Sequence, residues 1–331
     1  MILLLVIYLA FISLGLPDSL IGAVWPVMHL GLQTKLEYAG FISACVSFGT
    51  IISTFFVGKI QAKLKASTIT TISITLTAIG LLIYSRATSI VVLLCGAIPL
   101  GLGGGAVDAT LNAYVASHYK AKHLSFLHAF WGIGTLIGPI LFGLLLNHNI
   151  NWRSGYLILA IVQIVIMITV FSSRSLFSDA KRDMSIKVES PKFLEVMKQP
   201  GVKQAVFAFL LYVGFETTTI MWSGSYLVYA KAFTPDKAAF ISSLFFIGIT
   251  SSRIFAGFIS SRAEDRTLIK GGIFLILLSC VLILFQRSFY VRANRVKCYF
   301  CWHSPIFSCH SCGGCVKAFC HTRGGWYPAH L

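Results

Sequence analysis

Acidic residues are what this sequence has least of. Asp and Glu number 11 in 331 residues, against 27 Lys and Arg, and charged types make up only 11% of the chain. A soluble domain is about a quarter charged. With 56% apolar residues, this chain cannot coat a globule with polar side chains. A soluble enzyme, a disordered tail and a secreted disulfide scaffold are thereby excluded for most of its length. Cysteine is nearly absent before residue 286. Cys45, Cys95 and Cys280 stand alone in apolar runs, with no disulfide or metal-ligand spacing. The glycines Gly101, Gly103, Gly104 and Gly105 form no phosphate loop, since no strand precedes them and no Lys-Ser/Thr follows. No nucleophile–base pair is spelled. The chain is therefore read as no enzyme, with no cofactor and no metal. The basic excess of +16 falls in short loops between apolar runs and is no nucleic-acid footprint.

What the sequence has in quantity is long apolar runs. A bilayer core ~30 Å thick needs ~20 such residues in a helix. Nine runs qualify, at Ile2–Val27, Tyr38–Ile60, Ser67–Tyr84, Ile90–Ser117, Leu124–Leu146, Trp152–Ser172, Val202–Tyr226, Ala238–Ser261 and Leu268–Leu284. The first continues through Gly22 and Trp25, longer than a signal peptide's apolar region, and reads as a retained helix. The loops after spans 2, 4, 6 and 8 carry most of the Lys and Arg, including Lys59, Lys63, Lys65, Lys120, Lys122 and Arg266. The positive-inside bias puts those loops and the N-terminus in the cytoplasm. The one long polar segment, 173–200, separates six spans (1–172) from three (201–285). It reads as a basic linker with a short surface helix around Phe193–Lys198.

The two sets of spans repeat. Ala39, Phe41, Ile42, Ser43, Gly49, Ser53, Phe56, Gly58 and Ile60 match Ala238, Phe240, Ile241, Ser242, Gly248, Ser252, Phe255, Gly257 and Ile259 at a constant offset of 199. Gly15 and Gly214, and Lys63 and Arg262, keep the same register. A parallel repeat of six spans marks transporters built from two halves facing a midplane site.

These features, with Gly58-Lys-Ile-Gln-Ala-Lys63 and Gly257-Phe-Ile-Ser-Ser-Arg262 after spans 2 and 8, resemble the major facilitator superfamily. Gly15-Leu-Pro-Asp18-Ser-Leu-Ile-Gly22-Ala-Val-Trp25-Pro, Gly101-Leu-Gly-Gly-Gly-Ala-Val-Asp108-Ala-Thr-Leu-Asn112-Ala-Tyr114 and His128-Ala-Phe-Trp131-Gly-Ile-Gly134 resemble its fucose-permease-like branch of sugar–proton symporters. The acid usual in the loop after span 2 is missing. Gly138-Pro139 resembles an antiporter motif instead. The resemblance implies an all-α, two-half helical bundle, a small-molecule substrate, protons and a lipid bilayer as partners, and a monomer in the cell membrane. Gly58, Lys63, Gly257 and Arg262 would sit in its gating loops, and Asp18 and Asp108 would serve proton coupling and sugar binding.

The residues support a similar site independently. Only Asp18, Asp108 and Glu216 place an acid inside a span, where a charge costs at least ~2.5–3.5 kcal/mol and faces the bundle interior. Asn112 shares a helix face with Asp108 at i+4. Pro17 removes a backbone donor just before Asp18 and is expected to kink span 1. His128 and Trp131, three apart, are expected to face the cavity together, and Trp25, Trp131 and Trp222 are candidates for stacking on a sugar. Structural acids bonded to neighbouring helices, and aromatics that only fill helix contacts, are the alternative. The spaced glycines of span 4 favour close helix contact and are expected to let it move against its neighbours.

From about residue 286 the character changes. Cys298, Cys301, Cys309, Cys312, Cys315 and Cys320 crowd the last stretch beside His303, His310 and His321. Zinc ligation is one reading. Others are a true tail of unknown purpose and a shifted reading frame near residue 285: codons for Cys-Tyr-Phe-Cys-Trp, read one base later, give Val/Ala, Ile/Thr, Phe/Ser, Val/Ala and Gly, an apolar helix. On that reading the second half is cut short after nine spans. The rivals to a sugar symporter are then an efflux antiporter and a transport-dead truncated membrane protein.

Overall fold

A computed structural model describes residues 2–120, 122–177, 197–259 and 265–285. The described chain is all helical, without a strand. Its helices are α1 (Ile2–Asp18), α2 (Leu20–Gly31), α3 (Tyr38–Gln61), α4 (Ala66–Ser85), α5 (Ile90–His118), α6 (Lys122–Asn147), α7 (Trp152–Ser172), α8 (Val202–Ser225), α9 (Pro235–Ile259) and α10 (Asp265–Phe285). Among the described residues, eight helical stretches are long and apolar enough to cross a membrane, with α1 and α2 together forming one, Ile2–Gly31. The ninth expected run coils as α10. The protein is a multi-pass membrane protein with the expected two-half bundle. Most of the linker and its expected surface helix, Arg262, and the Cys-rich tail lie outside the described residues.

Helix ends carry cation–aromatic pairs, as suits side chains at a membrane interface. Arg153 lies 4.4 Å over Trp152 and Arg174 lies 4.5 Å over Phe171. Between the ends, outward side chains such as Phe48, Ile51 and Phe55 on α3 stay exposed to lipid. Inward side chains form two apolar clusters. One gathers Trp25, Met28, Tyr84, Phe142 and Tyr156 near the end away from the linker. The other gathers Phe11, Leu111, Leu127 and Val170 nearer the linker.

The glycines of α5 let it lie between α3 and α4 at backbone distance. A Cβ at Gly101 would overlap the Val46 carbonyl, one at Gly103 the Ser73 carbonyl, and one at Gly105 the Ser53 hydroxyl. Three overlapping glycines in two directions make a close-packed joint. The helix is seated against its neighbours more tightly than a sliding role would suggest. The halves meet along two seams. α2 packs on α8, and α6 packs on α9.

Candidate functional site

The first span breaks where Asp18 stands. Pro17 has no N–H for the Ser13 carbonyl and its ring crowds that carbonyl. The donor comes instead from fully buried Gln163 of α7, whose Nε2 donates to Ser13 O at 2.6 Å. Pro139 of α6 frees the Thr135 carbonyl in the same way. Ser19 Oγ donates to that carbonyl at 2.8 Å. Between these two repairs α1 ends at Asp18 and α2 starts at Leu20. The expected kink is thus an interruption tied to two other spans, by the Gln163 side chain of α7 and by the Thr135 carbonyl of α6. Gly138-Pro139 has a plain local role here, freeing the carbonyl that Ser19 takes.

The break faces a cavity of about 320 Å³ between the halves. Its wall includes Asp18, Trp131, Glu216 and Arg253. Asp18 is solvent-accessible although it sits deep in the bundle, because its open surface is the cavity wall. Trp131 Nε1 donates to Asp18 Oδ2 at 2.8 Å. The face of the same indole carries the Arg253 guanidinium at 4.7 Å. Arg253 Nη2 lies 3.9 Å from Glu216 Oε1, and its Nη1 reaches the His128 carbonyl at 3.5 Å. Tyr212 lies within hydrogen-bonding reach of Glu216. Asp18 and Trp131 belong to the first half, and Glu216 and Arg253 to the second. Asp18 and Arg253 are therefore linked across the seam through Trp131.

Of the other expected residues, Asp108 and Asn112 pair along α5. Asn112 Nδ2 donates to Asp108 Oδ1 at 3.0 Å, while its own Oδ1 is buried with no partner among the described residues. Asp108 is near enough to Asp18 and Arg253 for their charges to interact. His128 contributes its carbonyl, while its ring stands edge-on to Phe11 at 5.8 Å. Trp131 lines the cavity and the His128 ring does not, although the two are three residues apart. Trp25 is fully buried and donates to Leu36 O at 2.8 Å, so it serves the core. Trp222 packs against the same core. Gly58 and Lys63 lie at the linker end, with open space beside Gly58. Gly257 falls on α9.

Arg253 was missed by a search for acids alone. The signal was present: it is the one Lys or Arg more than a turn inside any of the nine apolar runs, and an intramembrane base is a functional candidate on the same grounds as an acid. Tyr84 was also missed. It lines the cavity, and its buried hydroxyl has no partner among the described residues. Nothing in its local sequence marks it. At the end away from the linker the halves close. His29 Nε2 and the Tyr229 hydroxyl form a short hydrogen bond, and a Cβ on Gly22 would overlap the Ile220 carbonyl. Among the described residues no three His, Cys, Asp or Glu side chains gather as a metal site would require.

Comparison with known proteins gives one family. The model of the Major Facilitator Superfamily matches residues 7–310. Bypass of stop codon protein 6 of Saccharomyces cerevisiae is 25% identical over 287 residues, covering 76% of this chain and 56% of that protein. The chain thus spans little more than half the length of that relative. The glucose/mannose transporter GlcP of Bacillus subtilis is 23% identical over 303 residues, covering 86% of this chain and 71% of its own. Crystal structures of the nucleoside transporter NupG and of a D-xylose-proton symporter share the fold. Their TM-scores are 0.71 and 0.67 at 16% and 14% identity, over 92% and 95% of this chain and 80% of each of theirs.

Proposed function

The chain belongs to the Major Facilitator Superfamily, and from that premise we propose that it carries a sugar-sized polar solute across the cell membrane by alternating access coupled to protons. The observation that carries this reading is the cavity between the halves, walled by charged side chains from both. Rocking of the halves exposes such a site to one side and then the other. Its volume of about 320 Å³ lies at the small end of the ~300–1,000 Å³ usual for ligand sites, which suits one monosaccharide better than a large drug.

The charge pattern suggests how a proton enters. Glu216 and Arg253 offset one another, so the charge of the cavity wall turns on Asp18. With a proton on Asp18 the wall is neutral and accepts an uncharged polyol. Without it, a carboxylate faces the solute. Asp108, held by Asn112, is the second candidate for the proton. Trp131 supplies an apolar face for the carbons of a sugar ring. The names of the glucose/mannose transporter and the D-xylose-proton symporter agree with this solute class, and the nucleoside transporter's name keeps nucleosides among the candidates. Efflux of apolar compounds fits less well, since the otherwise mostly apolar wall carries three charged side chains, Asp18, Glu216 and Arg253. The protein works as a monomer on this reading, with its N-terminus and linker in the cytoplasm.

The test is solute-driven alkalinisation in de-energised cells expressing the chain, with a panel of hexoses, deoxyhexoses and nucleosides. A second version carries the reading frame shifted back after residue 285. One solute should raise external pH, and Asp18→Asn should abolish the rise. Export of toxic apolar compounds, with no response to any sugar or nucleoside in either version, would put the antiporter in its place.

A further inference from the structure

Trp131 holds two partners from opposite halves at once. Its N–H donates to Asp18 of the first half at 2.8 Å. Its ring carries Arg253 of the second half at 4.7 Å. Arg253 is 7% exposed, and its Nε has no partner among the described residues. Its position therefore depends on weak, divided contacts: the Trp131 face, Glu216 at 3.9 Å and the His128 carbonyl at 3.5 Å. No single one of them is a short, well-formed ion pair.

We propose that Trp131 is the positioning residue through which the charge on Asp18 sets the grip between the two halves. An indole whose N–H donates to an anion is polarised by it, and linked polar contacts strengthen one another in a medium of low dielectric. The ring then attracts a cation over its face more strongly. The negative charge behind the indole also attracts the guanidinium directly. When Asp18 takes up a proton, both effects fade and the N–H meets only a neutral acceptor. Arg253 is then left to Glu216 on its own half and to the long 3.5 Å contact with the His128 carbonyl. The grip is present with Asp18 ionised and is lost as pH falls through the titration of that carboxylate. The other titratable groups nearby are Asp108 on α5, His128 on α6, and Tyr212 and Glu216 on α8; Tyr84 of α4 and Tyr156 of α7 face the cavity. Among them only Asp18 receives the indole N–H.

This inference rests on the transport reading for its meaning, and its test does not use transport. Spin labels at Lys122→Cys and Lys203→Cys, in the full chain with native cysteines replaced by alanine, report the separation of the halves at the linker end. The measurement is pulsed dipolar spectroscopy in lipid nanodiscs without solute, at about pH 8 and about pH 5. The ratio of short to long separations should change by about threefold to tenfold between the two, the range that a cation–π contact can set. Trp131→Phe, which keeps a ring but loses the N–H, should flatten the change. Asp18→Asn should hold the low-pH distribution at both values. Trp131→Tyr, which keeps a face and a donor, should restore part of the response. A melting curve for each variant establishes that it is folded. A pH-independent distribution in the parent chain, or an unchanged pH response in folded Trp131→Phe, overturns the proposal. If the distances respond and no solute is carried, the transport reading falls and the coupling stands.

Discussion

Gly15 and Gly214 occupy equivalent places in the sequence repeat and opposite places in the molecule. A Cβ on Gly15 would overlap the Trp131 carbonyl and come within 2.9 Å of Thr135 N, whereas Gly214 has nothing within 4 Å among the described residues. The contrast holds for the spans that carry them. In their most apolar windows, 56% of Ile2–Gly31 is buried against 6% of Val202–Ala230. The first half is a bundle closed on itself, with prolines repaired by Gln163 and Ser19 and glycines pressed on carbonyls. Of the second half, the buried polar side chains Glu216 and Arg253 lie where it meets the first. The second half is described over three helices, against six spans of the first, and the repeated spans accordingly meet different neighbours. Among the described residues, α8 packs chiefly on α2 and α9 on α6 of the first half.

Substitutions at three places would break or sharpen this contrast. The largest effect is expected at Arg253. Arg253→Met leaves the Glu216 carboxylate buried without its cation, a loss of about 3–5 kcal/mol for a buried pair. Adding Glu216→Gln should recover most of it, as read from melting curves in detergent; equal instability of single and double variants would mean that the pair does not anchor the seam. Next come the equivalent glycines. Gly15→Ala forces the first and fifth spans apart and should cost about 1–3 kcal/mol. Gly214→Ala should be neutral or stabilise by up to about 1 kcal/mol through helix propensity. Similar costs at both positions would erase the difference between the halves. The smallest effect is expected at the closed end. Tyr229→Phe removes the His29 partner for about 1 kcal/mol, and it should raise the labelling of a cysteine placed at Ser43 inside the cavity without lowering the melting temperature of the first half.

Much of the fold was legible because membrane crossing imposes length and hydropathy directly on sequence. Each of the nine expected runs is helical over nearly all of its described residues, and the family likeness carried by the Asp18, Asp108 and Trp131 stretches agrees with the family match. The site was legible only in part. Acids within spans stand out against an apolar background, and Asp18, Asp108 and Glu216 could be named from that alone. Their partners could not. That Trp131 faces Asp18 while Trp25 fills the core depends on rotation about helix axes, which an all-round apolar helix does not encode in its pattern. The bond from Gln163 to the Ser13 carbonyl joins positions 150 residues apart, with no local trace except the proline that creates the need.

The break at Ser19 also has a mechanical meaning. α1 lies along α6 of its own half, while α2 reaches across to α8 of the other. The first span is therefore two rods joined by a single residue, the first held by its own half and the second shared between both. Any rotation of one half against the other puts its torque on that joint. Asp18 is the last residue of the first rod, and its carboxylate sits at the fulcrum.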